Sequence, residues 1–179
     1  SNPVLGVLAG AVLTAIIQSS SASVGILQAL CMTGSVKYGT ALPIIMGQNI
    51  GTCITAILSS IGANRNAKRA ACIHLLFNLI GTVLFLSVFY TVNLFVDFAF
   101  LDQSATPAGI AVIHTTFNVT VTLILLPFNK VLEKLAYVII RVTDEEKNET
   151  PKRLDILDER FLEMPNYALE QSKVASVTM

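Results

Sequence analysis

Gln18, Ser19, Ser20, Ser21 and Ser23 stand together in the stretch QSSSAS, with Val4 to Ile17 before them and Val24 to Met32 behind, and neither flank carries a charge. Hydroxyls and amides this dense can donate and accept hydrogen bonds and can offer oxygens to a cation. A second group, GQNIGT from Gly47 to Thr52, adds Gln48, Asn49 and Thr52. Neither group contains Asp, Glu, Lys or Arg, and no acid occurs before Asp97. Proton coupling inside a membrane usually rests on a carboxylate, so only His74 or His114 could relay a proton. Neutral oxygens can hold sodium. Half-helix N-termini attract anions through unpaired N–H groups and the macrodipole. Broken helices that turn N-termini to an anion and carbonyls to a cation are a recurring transporter design. The two groups therefore suggest an anion and sodium bound side by side. Sulfate, phosphate or a carboxylate all fit.

Composition says what must position these residues. The chain has 179 residues, 53% hydrophobic and 13% charged, with no net formal charge and mean hydropathy +0.66. The charged share is about half the ~25% of a soluble domain, and most charges fall after Phe128. This is the pattern of an all-α polytopic membrane protein with a polar tail. Cys31, Cys53 and Cys72 lie in or beside apolar segments and read as free, small hydrophobes. Ser1-Asn2-Pro3 runs straight into apolar sequence with no secretory pattern, and the expectation is a piece of something longer.

A spanning helix needs about 20 apolar residues, and Pro3 to Ile17 and Val24 to Met32 are each too short. They suggest a re-entrant hairpin broken at the serines. One long continuous helix is the other reading, since Ser sits comfortably in membrane helices. Thr40 to Ile61 can span and is interrupted by GQNIGT. A Gly-x-x-x-Gly packing face explains its glycines but not Gln48 and Asn49, so a second broken helix is expected there. Ala70 to Leu94 is a full span. Thr106 and Pro107 then start another as N-cap and first helical residue, ending near Pro127. Arg65, Lys68 and Arg69 before this pair of spans, and Lys130, Lys134 and Arg141 after it, should lie on one side, the cytoplasm by the positive-inside rule. Lys130 to Val142 reads as a short interfacial helix, TDEEKNETPKR as a charged linker, and Leu154 to Met164 as a soluble helix that Pro165 kinks or ends. The domain boundaries expected are 1–128 for the membrane part, 129–150 for interfacial helix and linker, and 151–179 for the tail. The Asn148-Glu149-Thr150 sequon is a chance match if that tail is cytoplasmic.

AACIHLLFN and IAVIHTTFN share His-x-x-Phe-Asn, which places His74, Phe77 and Asn78, and His114, Phe117 and Asn118, on one helical face each. Each His is expected to be a neutral core residue bonded to a neighbouring helix. An intramembrane serine protease would need one Ser activated by His, and three serines in a row after a Gln argue against it. A structural or sensory membrane domain serving the tail remains a third class.

QSSSAS, then GQNIGT, then HLLFN resembles the type II sodium/phosphate cotransporter family, over Pro3 to about Pro127. That resemblance implies two inverted repeats, of which this chain looks like the second, and sodium-driven transport of inorganic phosphate rather than an enzyme activity. It implies that Gln18, Ser19, Ser20, Ser21 and Ser23 line the site with Gln48, Asn49 and Thr52, and that sodium is held by Gln18, Ser20, Ser21, Asn49 and Thr52. Gln48 departs from the family's commoner small residue. No cofactor is implied beyond sodium as the coupling ion. The partners implied are phosphate, sodium, the lipid bilayer and the missing repeat or a second copy, with no nucleic acid. LDERFLEMPNYALEQ looks like the opening of a PhoU-like helical domain of bacterial members. The expected location is the cell membrane with the tail cytoplasmic. The alternatives are a phosphate-sensing anchor or a carrier of another anion.

Overall fold

The computed structural model describes residues 2–142; the expected PhoU-like segment and most of the charged linker lie outside them. Apart from one isolated bridge, Lys37 to Ser104, regular structure among the described residues is helical. The helices are α1 (Pro3–Ile17), α2 (Ser20–Cys31), α3 (Tyr38–Ser59), α4 (Arg65–Val96), α5 (Pro107–Leu125) and α6 (Asn129–Ile139), with short 3₁₀ turns at Ala99–Asp102 and Leu126–Phe128. Three stretches, Tyr38–Ser59, Arg65–Val96 and Pro107–Ile139, are long and apolar enough to cross a membrane. The fold is that of an all-α polytopic membrane protein.

α1 and α2 are separate helices that fold back on each other. The Thr14 Oγ1 donates to Ser23 Oγ at 2.7 Å, across nine residues of sequence. In one continuous helix those residues would stand about 13 Å apart along the axis, at ~1.5 Å per residue. The continuous-helix reading is therefore excluded. Asn2 caps α1 through its side chain, with Pro3 in the first turn. Gln18 ends α1 in the left-handed region, φ 58°, and its N–H bonds the Thr14 carbonyl. Ser19 is extended, and its hydroxyl accepts from Ala22 N–H as the N-cap of α2.

α3 runs unbroken from Tyr38 to Ser59, so the expected second break at GQNIGT does not exist. The packing reading of its glycines is the correct one. A Cβ on Gly47 would run into the Val7 carbonyl, and one on Gly10 into the Ile44 carbonyl, so the backbones of α1 and α3 touch. Gly6 lies over Pro43, Gly10 over Ile44 and Gln48, and Gly51 over Ala11 and Thr14. Numbers rise together, so α1 runs parallel to α3. Gln48 and Asn49 need no helix break because they find partners within the packed structure: Gln48 on Ser23, and Asn49 on the Ile45 carbonyl at 2.9 Å.

α3 is the central element. Of its most apolar window 56% is buried, against 17% for α4 and 22% for the α5–α6 stretch. α4 runs antiparallel to it, with Cys53 Sγ at 3.5 Å from the His74 carbonyl and Thr82 Oγ1 at 3.5 Å from the Met46 carbonyl. α5 runs antiparallel to α4: Gly81 faces Val121, and the Phe85 and Phe117 rings meet edge to face at 5.3 Å. Leu27, Ile45, Met46, Ile110, Phe117 and Val121 form much of the core between these helices.

The loop after α4 is stitched to the loop before α3. Tyr38 N–H donates to the Gln103 carbonyl and Ala105 N–H to the Val36 carbonyl. Thr106 caps α5 through Gly109 N–H at 3.0 Å, as its position before Pro107 predicts. At the other end the start of α4 meets α6. Arg69 Nε donates to the Ile140 carbonyl at 3.1 Å, and its guanidinium lies 4.3 Å from the Tyr137 ring centroid.

Candidate functional site

The hairpin break puts the C-terminal carbonyl end of α1 and the N-terminal end of α2 at one point. Each end leaves backbone groups without intrahelical partners. The residues predicted around it fall into two sets. Gln18, Ser19 and Ser21 are exposed and Ser20 is half-buried, forming a polar rim. Ser23 and Gln48 are fully buried, together with Thr14.

The buried set is one hydrogen-bonded cluster joining three helices. Ser23 Oγ accepts from Thr14 Oγ1 and from Gln48 Nε2, the latter at 2.9 Å. Gln48 Nε2 also donates to the Ser23 backbone carbonyl at 3.0 Å. A backbone carbonyl can only accept, which fixes the amide with its nitrogen toward Ser23. That leaves Gln48 Oε1 buried with no hydrogen-bond donor among the described residues. An unsatisfied buried acceptor costs about 1–3 kcal/mol. A neutral oxygen in that state is a fitting ligand for a hard monovalent cation.

The other predicted residues lie on different faces. Thr52 is one turn beyond Gln48, on the same face, and its hydroxyl back-bonds to the Gln48 carbonyl at 2.9 Å. Asn49 shares its face with Cys53, whose sulfur meets both the Asn49 and His74 carbonyls, so Asn49 sits on the α4 side. The structure thus brings Gln18, Ser19, Ser20, Ser21, Ser23 and Gln48 to the break and puts Asn49 beside α4.

The repeated His-x-x-Phe-Asn motif has a local use. Asn78 Nδ2 donates to the His74 carbonyl at 3.0 Å and Asn118 Nδ2 to the His114 carbonyl at 2.8 Å. The expected bond from each imidazole to a neighbouring helix is not found among the described residues; both side chains are half-buried. Sequence reasoning missed Thr14. Its signal was its place one turn before Gln18, the only hydroxyl in the apolar run of α1.

Several known proteins resemble this chain in sequence. The family model described as Na+/Pi-cotransporter matches residues 1–104. An uncharacterized protein of Bacillus subtilis, YqeW, is 37% identical over 134 residues, covering 74% of this chain and 42% of that protein. The putative inorganic phosphate export protein YjbB of Salmonella typhimurium is 32% identical over 178 residues, 95% of this chain and 31% of its own length. The rat sodium-dependent phosphate transport protein 2A is 37% identical over 92 residues, 48% of this chain and 14% of that protein. The chain therefore spans less than half the length of these relatives. No solved structure matches it. With more than half its residues matched by the family model, and with a relative 32% identical along nearly all of it, this chain belongs to the Na+/Pi-cotransporter family.

Proposed function

We propose that this chain is one of two repeats of a sodium-coupled inorganic phosphate carrier, a transporter and not an enzyme. The observation that carries the reading is the break at Gln18 and Ser19. There the start of α2 offers N–H groups and serine hydroxyls to an anion, while the end of α1 offers carbonyls to a cation. Sodium and phosphate held together each lower the electrostatic cost of the other. Ser19, Ser20 and Ser21 meet the phosphate. Gln18, Ser20, Ser21 and Thr52 contribute to the sodium site, and Asn49 does so from the α4 side. Gln48 Oε1, buried without a donor, supports adding it to that set.

The rim faces away from the packed core, which supports a second half of the site supplied by the missing repeat of the parent protein or by a second copy. Family membership and the printed names of relatives support phosphate as the cargo. One relative is named an export protein, so direction is part of the test.

The test uses the full-length parent protein in sealed vesicles. Labelled phosphate movement is followed in both directions with sodium, then with sodium replaced by choline at fixed pH. The expected result is transport that needs sodium and is lost when Ser19, Ser20 and Ser21 are all replaced by Ala while the protein stays in the membrane. Transport that survives the triple replacement overturns the site. Transport indifferent to sodium overturns the coupling. No phosphate movement in either direction turns the reading to another anion or a sensory domain.

A further inference from the structure

Thr14 joins the two arms of the hairpin. Its backbone carbonyl accepts from Gln18 N–H at 2.7 Å, the bond that closes the last turn of α1 where the chain enters the left-handed region. Its hydroxyl donates to Ser23 Oγ, also at 2.7 Å. Ser23 in turn closes the first turn of α2, with its N–H on the Ser19 carbonyl at 3.0 Å. One residue thus holds the carbonyl end of α1 through its backbone and the N–H end of α2 through its side chain.

The surroundings leave that side chain little freedom. Thr14 is 0% exposed, and a Cβ added at Gly51 would stand 2.7 Å from Thr14 Cβ, so α3 closes directly over it. A β-branched side chain is stiff about its first torsion, and this one is walled on the α3 side and bonded on the α2 side. Ser23 Oγ also accepts from Gln48 Nε2, which anchors the tie between the arms to α3. Gln18, Ser19 and Ser21 are exposed while Thr14 is covered, so Thr14 acts behind the polar rim and not at it.

This tie governs a spacing. A cation at the end of α1 and an anion at the start of α2 attract each other as the inverse of their separation. That separation is set by how the two helix ends meet. We propose that Thr14 is a positioning residue for the ion pair: its hydroxyl, through Ser23, holds the helix ends at the distance at which sodium and phosphate favour each other. The inference rests on the carrier reading above and gives Thr14 no contact with either ion. Thr14→Val isolates the hydroxyl. It keeps the branched shape, and Ser23 Oγ keeps Gln48 Nε2 as a donor, so no buried acceptor is orphaned.

Labelled phosphate binding to the purified full-length parent protein in detergent is measured with sodium, then with sodium replaced by choline at fixed pH. The readout is the factor by which sodium tightens phosphate. Coupling between two ligand sites typically amounts to about 5–150-fold, and wild type should fall in that range. In Thr14→Val the factor should drop below about twofold while binding in choline changes little. Phosphate must tighten sodium by the same factor, so that half of the cycle should fall with it. Thr14→Ser, which restores a hydroxyl, should recover the coupling. A Thr14 that only stabilised the fold would leave the factor unchanged in Thr14→Val, and that result overturns the proposal while the carrier reading stands. An equal loss in Thr14→Ser and Thr14→Val also overturns it. Wild-type phosphate binding that ignores sodium overturns the coupling in the carrier reading, and this proposal with it. If Thr14→Val gives no folded protein by size exclusion, Thr14→Cys, with a thiol as a weaker donor, takes its place: a reduced factor supports the tie and the wild-type factor overturns it.

Discussion

Ser23 is bonded three ways: its hydroxyl oxygen accepts from Thr14 and Gln48, and its carbonyl accepts from Gln48 again. Replacing Ser23 by Ala leaves Thr14 with a buried hydroxyl and Gln48 with one acceptor fewer. Such losses cost about 1–3 kcal/mol each. Ser21 is exposed and makes no comparable contact, so Ser21→Ala should stay within ~0.5 kcal/mol of wild type. Thermal unfolding of the two variants in the same detergent checks the difference; equal midpoints would mean the buried cluster is not holding the hairpin. These residues were only partly legible in the sequence. The serines marked the break, because polar side chains crowded between two short apolar arms have few other uses. Which of them turn inward was not legible. That depends on Gln18 adopting φ 58°, a conformation uncommon outside glycine, and on which face of α3 lies opposite.

At the scale of elements, the seam between α1 and α3 decides the architecture. Leu at position 47 would push α1 off α3, since the nearest atoms are backbone and cannot yield. Gly47→Leu should therefore lower the yield of folded protein severely. Gly25 is the control: it also sits in a helix, but a Cβ there meets nothing within 4 Å. Gly25→Ala should be neutral or gain about 0.5–1 kcal/mol from helix propensity. Size-exclusion profiles of both variants in detergent give the answer, and comparable profiles would refute a backbone-tight seam. The expectation of a second broken helix failed at this level. Gln48 and Asn49 looked unplaceable facing lipid, yet one bonds across to α2 and the other to its own helix. The clue was present in sequence: Gly6 and Gly10 on α1 repeat the four-residue spacing of Gly47 and Gly51. The spans α4 and α5 and the cap at Thr106 were legible, because length, hydropathy and a Thr-Pro start depend on no partner.

For the whole molecule, the antiparallel pair α4 and α5 carries the chain out and back. Lys68 and Lys134 should share one side of the membrane and Gln103 the other. By the positive-inside rule the basic side should be the cytoplasmic one. Single cysteines at these three exposed positions, in a full-length background lacking reactive thiols, test this with an impermeant maleimide. In intact cells only Gln103→Cys should react, and in inverted vesicles only Lys68→Cys and Lys134→Cys. The reverse pattern would invert the orientation. α1 also turns Val4, Leu5, Leu8, Val12 and Ile16 outward in a line along one side, next to the exposed rim. The chain spans 42% and 31% of the length of the bacterial relatives YqeW and YjbB.

The glycine seam also has a mechanical consequence. Where two backbones touch, no side chain lies between them to change rotamer and take up a displacement, so α1 and α3 must travel as a single lever. α4 and α5 meet through rings and branched side chains, such as Phe85 on Phe117 and Val121 over Gly81, which can slide and re-seat. Any movement of this lever against α4 and α5 would carry the turn at Gln18 and Ser19 with it, as a rigid extension of the seam.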